Sequence, residues 1–231
     1  DQPAPAVGTT YLPTLAEGID DAARNEWLCA SGSALPGGVD VVGAIPVRGL
    51  VGPLAVDVEE LQARGATWVG AVRNNTALYG IPGALGTLRG SGVPIALATV
   101  WPVTGSMNLL RELACVDELD ARNYANSFSD REQWLMATGN PARALAAADS
   151  IGVLDVGRFA DVVVFDGRVR ADYRAVIEAG AADVVLVLRA GVVMHGDAAV
   201  VQALGGGDGA CDVVDVCGVG KRVCAARETG Q

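Results

Sequence analysis

The side chains best placed for binding or chemistry cluster around the loop that leaves the run Val93–Ala98, where Thr99, Trp101, Ser106 and Asn108 follow one another closely. The run itself is apolar at every position, as in a parallel strand covered on both faces. A Pro/Gly turn interrupts it, and helical periodicity begins near Met107. In a strand–loop–helix unit of this kind, ligands meet the loop at the carboxyl end of the strand. Ser106 and Asn108 stand at the helix start, where capping of backbone N–H groups is the default role and ligand binding the secondary one. Trp101 is the tryptophan best placed to face a ligand, whereas Trp27, Trp68 and Trp134 read as core or pocket wall.

Other polar residues have two readings. Arg73, Asn74 and Asn75 line a pocket mouth or simply form a polar turn. Arg48 anchors an anionic ligand at a strand end or, by default, pairs with a nearby carboxylate. His195 is the only histidine, and in a hairpin it reads as a surface or packing residue. Gly205-Gly206-Gly207 is a hinge and not a phosphate loop, because no strand and helix flank it in the needed order.

The elements that must position these residues alternate between strand-like and helix-like. Tyr11–Leu15, Val39–Val47, Ala66–Val72 and Val93–Ala98 read as strands. Helices are expected over Asp20–Cys29, over Val58–Arg64 capped by Asp57 and ended at Gly65, and over Ala84–Arg89. Arg73–Gly80 reads as a polar loop. Helices then follow over Met107–Arg122, from the capping box Ser129-Asp130-Arg131-Glu132 to Thr138, and over Ala142–Ala148 after Pro141. This βα alternation implies a parallel sheet with crossover helices. From Ile151 the pattern changes to a glycine-punctuated turn, a strand ending near Asp166, and a hairpin of Asp183–Leu188 with Val192–His195 around Ala190-Gly191. The expected organisation is an α/β part over 1–150, a small β part over 151–204, and a Gly/Cys-rich tail over 205–231, either flexible or tied by a disulfide.

Composition limits the partners. A chain of 231 residues with 51% apolar residues has ample material for a buried core. Its 17 basic against 27 acidic residues, net charge −10, argue against a nucleic-acid partner, which needs clustered Lys and Arg. No window approaches the roughly 18 uncharged apolar residues of a membrane span, so a soluble chain without a membrane span is expected. None of the five cysteines forms a C-x-x-C pair, which removes zinc-ribbon and thioredoxin readings. Cys211, Cys217 and Cys224 in the Gly-rich tail lean toward an exported or cell-envelope context, with free buried thiols as the alternative.

Several separate segments, in order, carry a resemblance: Leu15-Ala-Glu-Gly18, Arg73–Gly80, Gly92–Leu113, Asn140-Pro-Ala142 and Ile151–Asp166. From about Tyr11 to Asp197 the chain resembles the carboxyl-terminal half of the metal-dependent amidohydrolase superfamily, in its cytosine-deaminase and chlorohydrolase-like branch. The resemblance implies an α/β fold, the last four βα units of a (β/α)8 TIM-type barrel followed by a small β-sandwich portion. It also implies descent from hydrolases of C–N or C–Cl bonds, in which zinc or iron activates water.

The residues at the implied metal positions depart from that pattern. Glu17 matches the proton-shuttling Glu of the family's H-x-x-E motif, but Thr14 stands where its His belongs. Arg48 stands at the next expected His, and Val100 at the metal-binding Asp. A hydroxyl, a fixed cation and an isopropyl group do not make a zinc site. The expectation is therefore that this chain holds no metal or other cofactor and that Glu17 is vestigial. Four barrel strands leave two open edges. The chain is thus expected to be a fragment, a decayed gene product, or a half completed by a partner chain or a homo-oligomer, with a non-catalytic binding or assembly module as the alternative to a hydrolase.

Overall fold

A computed structural model describes residues 12–32, 46–207, 209 and 211–225. The chain divides into two compact units, Asp1–Ala148 and Asp149–Gln231.

In the first unit, strands β1 (Thr14–Leu15), β2 (Pro46–Gly49), β3 (Thr67–Gly70) and β4 (Ile95–Leu97) form one parallel sheet in sequential order. Between them run α1 (Asp21–Ala30), α2 (Ala55–Ala63), α3 (Val72–Tyr79) and α4 (Leu85–Leu88). After β4 come α5 (Leu109–Asn123), α6 (Asp130–Ala137) and α7 (Gly139–Ala144). Val47, Trp68, Ala96, Leu61, Leu85 and Leu113 are all buried, so the sheet is covered as the apolar strands required. Pro94 C=O accepts from Trp68 N–H and Ala98 N–H donates to Gly70 C=O. The intervening Ile95 carbonyl therefore points away from β3, and Asn140 Nδ2 covers it at 2.8 Å.

Several expectations are corrected. Arg73–Gly80 is not a loop: Val72–Tyr79 is helical, ending at Gly80 in the left-handed region with φ 74°. Its amino end has no local side-chain cap. The Arg73 N–H instead donates to Glu112 Oε1 at 3.1 Å, a partner 39 residues away that local pattern cannot supply. Asp57 does not cap from outside its helix but lies within the first turn of α2. The strand expected over Val39–Val47 is described only from Pro46, and runs on to Gly49; residues 39–45, like Tyr11, lie outside the described residues.

Asp57 is only 2% exposed and joins two helices. It accepts from Trp27 Nε1 at 2.8 Å, from Leu54 N–H at 2.7 Å, and from Arg24 Nη1. Three donors satisfy the carboxylate, as burial of a charge demands.

The second unit is, among the described residues, one antiparallel sheet in the order β5-β6-β7-β9-β8. Its strands are β5 (Val162–Phe165), β6 (Val184–Arg189), β7 (Val192–Asp197), β8 (Asp212–Val216) and β9 (Val219–Val223), accompanied by α8 (Arg174–Ile177) and α9 (Ala198–Ala203). The expected hairpin turns at Ala190-Gly191, with φ 48° and 81°, the paired left-handed conformation of tight hairpins. The stretch read as a tail instead supplies β8 and β9, and Cys211–Cys224 is a disulfide. Both sulfurs sit in a small core with Val193 and Val201. Lys221, fully buried, donates to Ala182 C=O at 2.6 Å, Val184 C=O at 2.9 Å and the Asp197 carboxylate.

Replacing Asp57 by Ala leaves Trp27 and Leu54 donors without an acceptor and Arg24 without its anion. We expect a loss of about 3–5 kcal/mol in urea unfolding; a loss below about 1 kcal/mol, the level of an exposed pair, refutes the assignment. Reducing Cys211–Cys224, which closes a loop of sequence separation 13, is expected to destabilise the second unit by about 2–3 kcal/mol. Denaturation curves that coincide with and without reductant contradict this.

Candidate functional site

In a parallel sheet, residues paired in register lie on the same face. Thr14 pairs with Arg48, Arg48 with Val69, and Val69 with Ala96, so these four make one row across the sheet near its carboxyl end. Thr14 is exposed and Arg48 half-buried, whereas Val69 and Ala96 are buried. Beyond this row, Gly49 has φ +102°, and a Cβ there would lie 2.1 Å from the Leu15 carbonyl oxygen. Only glycine permits β1 and β2 to approach so closely just after Arg48.

The ion pair expected of Arg48 is not found. Arg24, Arg64, Arg122, Arg158, Arg168 and Arg170 each meet a carboxylate. The Arg48 guanidinium meets none among the described residues.

At the carboxyl end of β3, Arg73 Nε donates to Ser106 Oγ at 2.9 Å and Nη2 reaches Arg111 C=O at 3.5 Å. Ser106 is buried, and it holds a guanidinium instead of capping the helix. Asn108 does cap α5, accepting from Arg111 N–H at 2.9 Å. Asn74 and Asn75, read as turn or pocket-mouth residues, are both buried within α3. Asn74 Oδ1 accepts from Thr104 Oγ1, and Asn75 Nδ2 lies 2.5 Å from where a Cβ on Gly83 would sit. The Arg73–Ser106 and Asn74–Thr104 bonds join the loop after β4 to the start of α3, while Asn75 packs against the turn that follows α3.

Trp101 is 71% exposed, unlike the buried Trp27 and Trp68 and half-buried Trp134. Its carbonyl accepts from Thr104 and Gly105 N–H groups, which closes the turn. A Cβ on Gly105 would lie 2.7 Å from Val100 C=O, so the turn needs glycine. Val100 is half-buried, three residues past β4. Glu17 is exposed after β1, and its carbonyl accepts from Tyr79 Oη at 3.1 Å. Burial and the charges of Glu17 and Asp20 raise the Tyr79 phenol above its ordinary range.

Sequence reasoning missed Glu112, which is fully buried, with no hydrogen-bond partner for Oε2 among the described residues. The available signal was its place on the buried stripe Glu112, Leu113, Val116, Asp120 of α5, where a carboxylate among apolar positions implies a specific partner. Burial also raises the Cys115 thiol, leaving it a poor nucleophile at neutral pH. His195 lies on β7, paired with Val187 and Val223, and burial lowers its pKa. Among the described residues no group of three or more His, Cys, Asp or Glu is placed to hold a metal ion. No helix among them is long and apolar enough to cross a membrane.

Solved structures share this arrangement. An adenosine deaminase from Xanthomonas campestris with bound zinc is 20% identical, with TM-score 0.64 over 80% of this chain and 45% of that one. An atrazine chlorohydrolase from Arthrobacter aurescens TC1 complexed with zinc is 20% identical, TM-score 0.64, over 80% and 44%. An amidohydrolase from a Sargasso Sea environmental sample is 19% identical, TM-score 0.59, over 80% and 41%. At such identities the likeness establishes the fold, a partial (β/α) barrel followed by a β portion. The chain spans less than half the length of these structures. No curated relative matches it. The model of the amidohydrolase family, however, matches residues 79–204, from the end of α3 through α9 and more than half of the sequence, and the chain therefore belongs to that family.

Proposed function

We propose that this chain is a catalytically degenerate amidohydrolase-family protein: by ancestry a hydrolase of C–N or C–Cl bonds, now a binding or assembly module. The observation that carries the reading is the chemistry of the strand ends. Thr14 and Arg48 occupy neighbouring positions of one row, and Val100 follows β4. None supplies the imidazole or carboxylate donors that zinc or iron prefers, and a guanidinium repels a cation. The zinc of the deaminase and chlorohydrolase structures thus has no matching donor set in this chain's described residues. No hydrolytic step follows from these side chains, and Glu17 is a vestigial carboxylate, solvated in its loop.

The second reading is half of a two-part hydrolase, completed by another chain or a second copy that closes the four-stranded sheet. Among the described residues β1 stands at the edge of the sheet, which favours this reading because a parallel barrel sheet is normally closed. The disulfide Cys211–Cys224 supports an oxidising, exported context for the protein.

Metal analysis separates the two readings. Purified chain is expected to carry far less than one zinc or iron per molecule, with no deaminase or dechlorinase turnover after zinc is added; about one tightly held ion per chain sinks the first reading. The triple variant Thr14→His, Arg48→His, Val100→Asp is likewise expected to stay inactive by itself, since the H-x-H ligands that the family resemblance implies on an earlier strand have no counterpart in a sequence whose only histidine is His195. Measurable turnover by that variant overturns the prediction.

A further inference from the structure

The geometry points to an oxyanion-binding site at the Thr14–Arg48 row, taking the carboxylate or phosphate group of a small ligand; this rests on the reading above that the strand ends hold no metal. Arg48 is half-buried, and its backbone is held in register with Thr14 on one side and Val69 on the other. It meets no carboxylate among the described residues, in a chain with 27 acidic residues and net charge −10. Solvation alone satisfies an Arg that projects freely, but this one is partly withdrawn from water on a sheet. Its planar fork of N–H donors matches two oxygens of a carboxylate or phosphate. The exposed Thr14 sits one strand away, about 4.8 Å by sheet spacing, and its hydroxyl supplies a further donor on the same face. Val69 and Ala96, next in the row, are buried and apolar, so they supply no competing anion. Gly49, which lets β1 and β2 close up directly after Arg48, keeps the two donors adjacent.

The site is tested on the full chain by calorimetric titration with sodium phosphate and sodium acetate, using sodium chloride at equal ionic strength as the reference. Because the chain is strongly acidic, diffuse attraction opposes anion uptake, and saturable binding reports a local site. Arg48→Met is expected to weaken binding by about tenfold or more, Arg48→Lys by less, and Thr14→Val by a few-fold. Arg131→Met, removing another exposed cation, is expected to leave binding unchanged. Circular dichroism confirms that each variant is folded, and Arg48→Lys keeps the charge should Arg48→Met fail that check. Binding of phosphate alone, acetate alone or both supports the site and identifies its oxygen geometry. Failure of the wild type to bind either probe, or equal binding by Arg48→Met and wild type, overturns it. Metal content is measured on the same samples. Anion binding that disappears on chelation overturns both this inference and the metal-free reading beneath it, whereas metal-free protein that binds no anion overturns this inference alone.

Discussion

The strand register of the parallel sheet is the constraint on which the candidate site depends. Pairing Thr14 with Arg48 and Arg48 with Val69 sets which side chains share a face, and a slip of one residue would turn the whole row to the opposite side. The register is enforced locally. Gly49 is the residue that lets the β1 carbonyl of Leu15 approach, and the Trp68 indole N–H donates to Gly49 C=O at 2.7 Å, fastening β3 to β2 from within the core. The distinctive feature of this row is thus its polarity: a cation and a hydroxyl stand on adjacent strands, with buried apolar residues beside them.

Around this frame, buried carboxylates do the long-range joining. Asp57 gathers donors from α1 and from the turn before α2. Glu112 accepts the Arg73 N–H in the first turn of α3, where a helix amino end favours negative charge. Asp120 accepts from Ser127 N–H and Oγ and from Phe128 N–H, turning the chain between α5 and α6. Each carboxylate is almost fully withdrawn from water, and such a group is tolerated only with oriented donors. These residues fix where α1, α3 and α6 begin or dock, and therefore where the loops bearing Arg73, Ser106 and Asn108 lie.

The second unit uses a cation for the same purpose. Lys221 on β9 ties the carbonyls before and at the start of β6 to Asp197 at the end of β7. The Cys211–Cys224 link then closes the hairpin that contains it. The Gly-rich composition around 205–209 suggested a tail because it carries little apolar surface. Val213, Val214, Val216, Val219 and Val223 follow, however, and the pairing of β9 with β7 gives this hairpin a sheet to join.

Much of the local structure was legible without coordinates. The apolar run ending at Ala98 marked β4, the Ser129/Glu132 capping box marked the start of α6, and Ala190-Gly191 marked a hairpin, because each signal is short-range chemistry. The family resemblance likewise rested on separate local motifs. The tertiary structure alone decided that Arg73–Gly80 is a helix, since its amino-end partner, Glu112, is 39 residues away. It also decided that Asn74, Asn75 and Ser106 are buried, and that Arg48 meets no carboxylate among the described residues. The physical reason is the same in each case: a local sequence specifies what a side chain can donate or accept, but only the packed fold specifies which partner arrives.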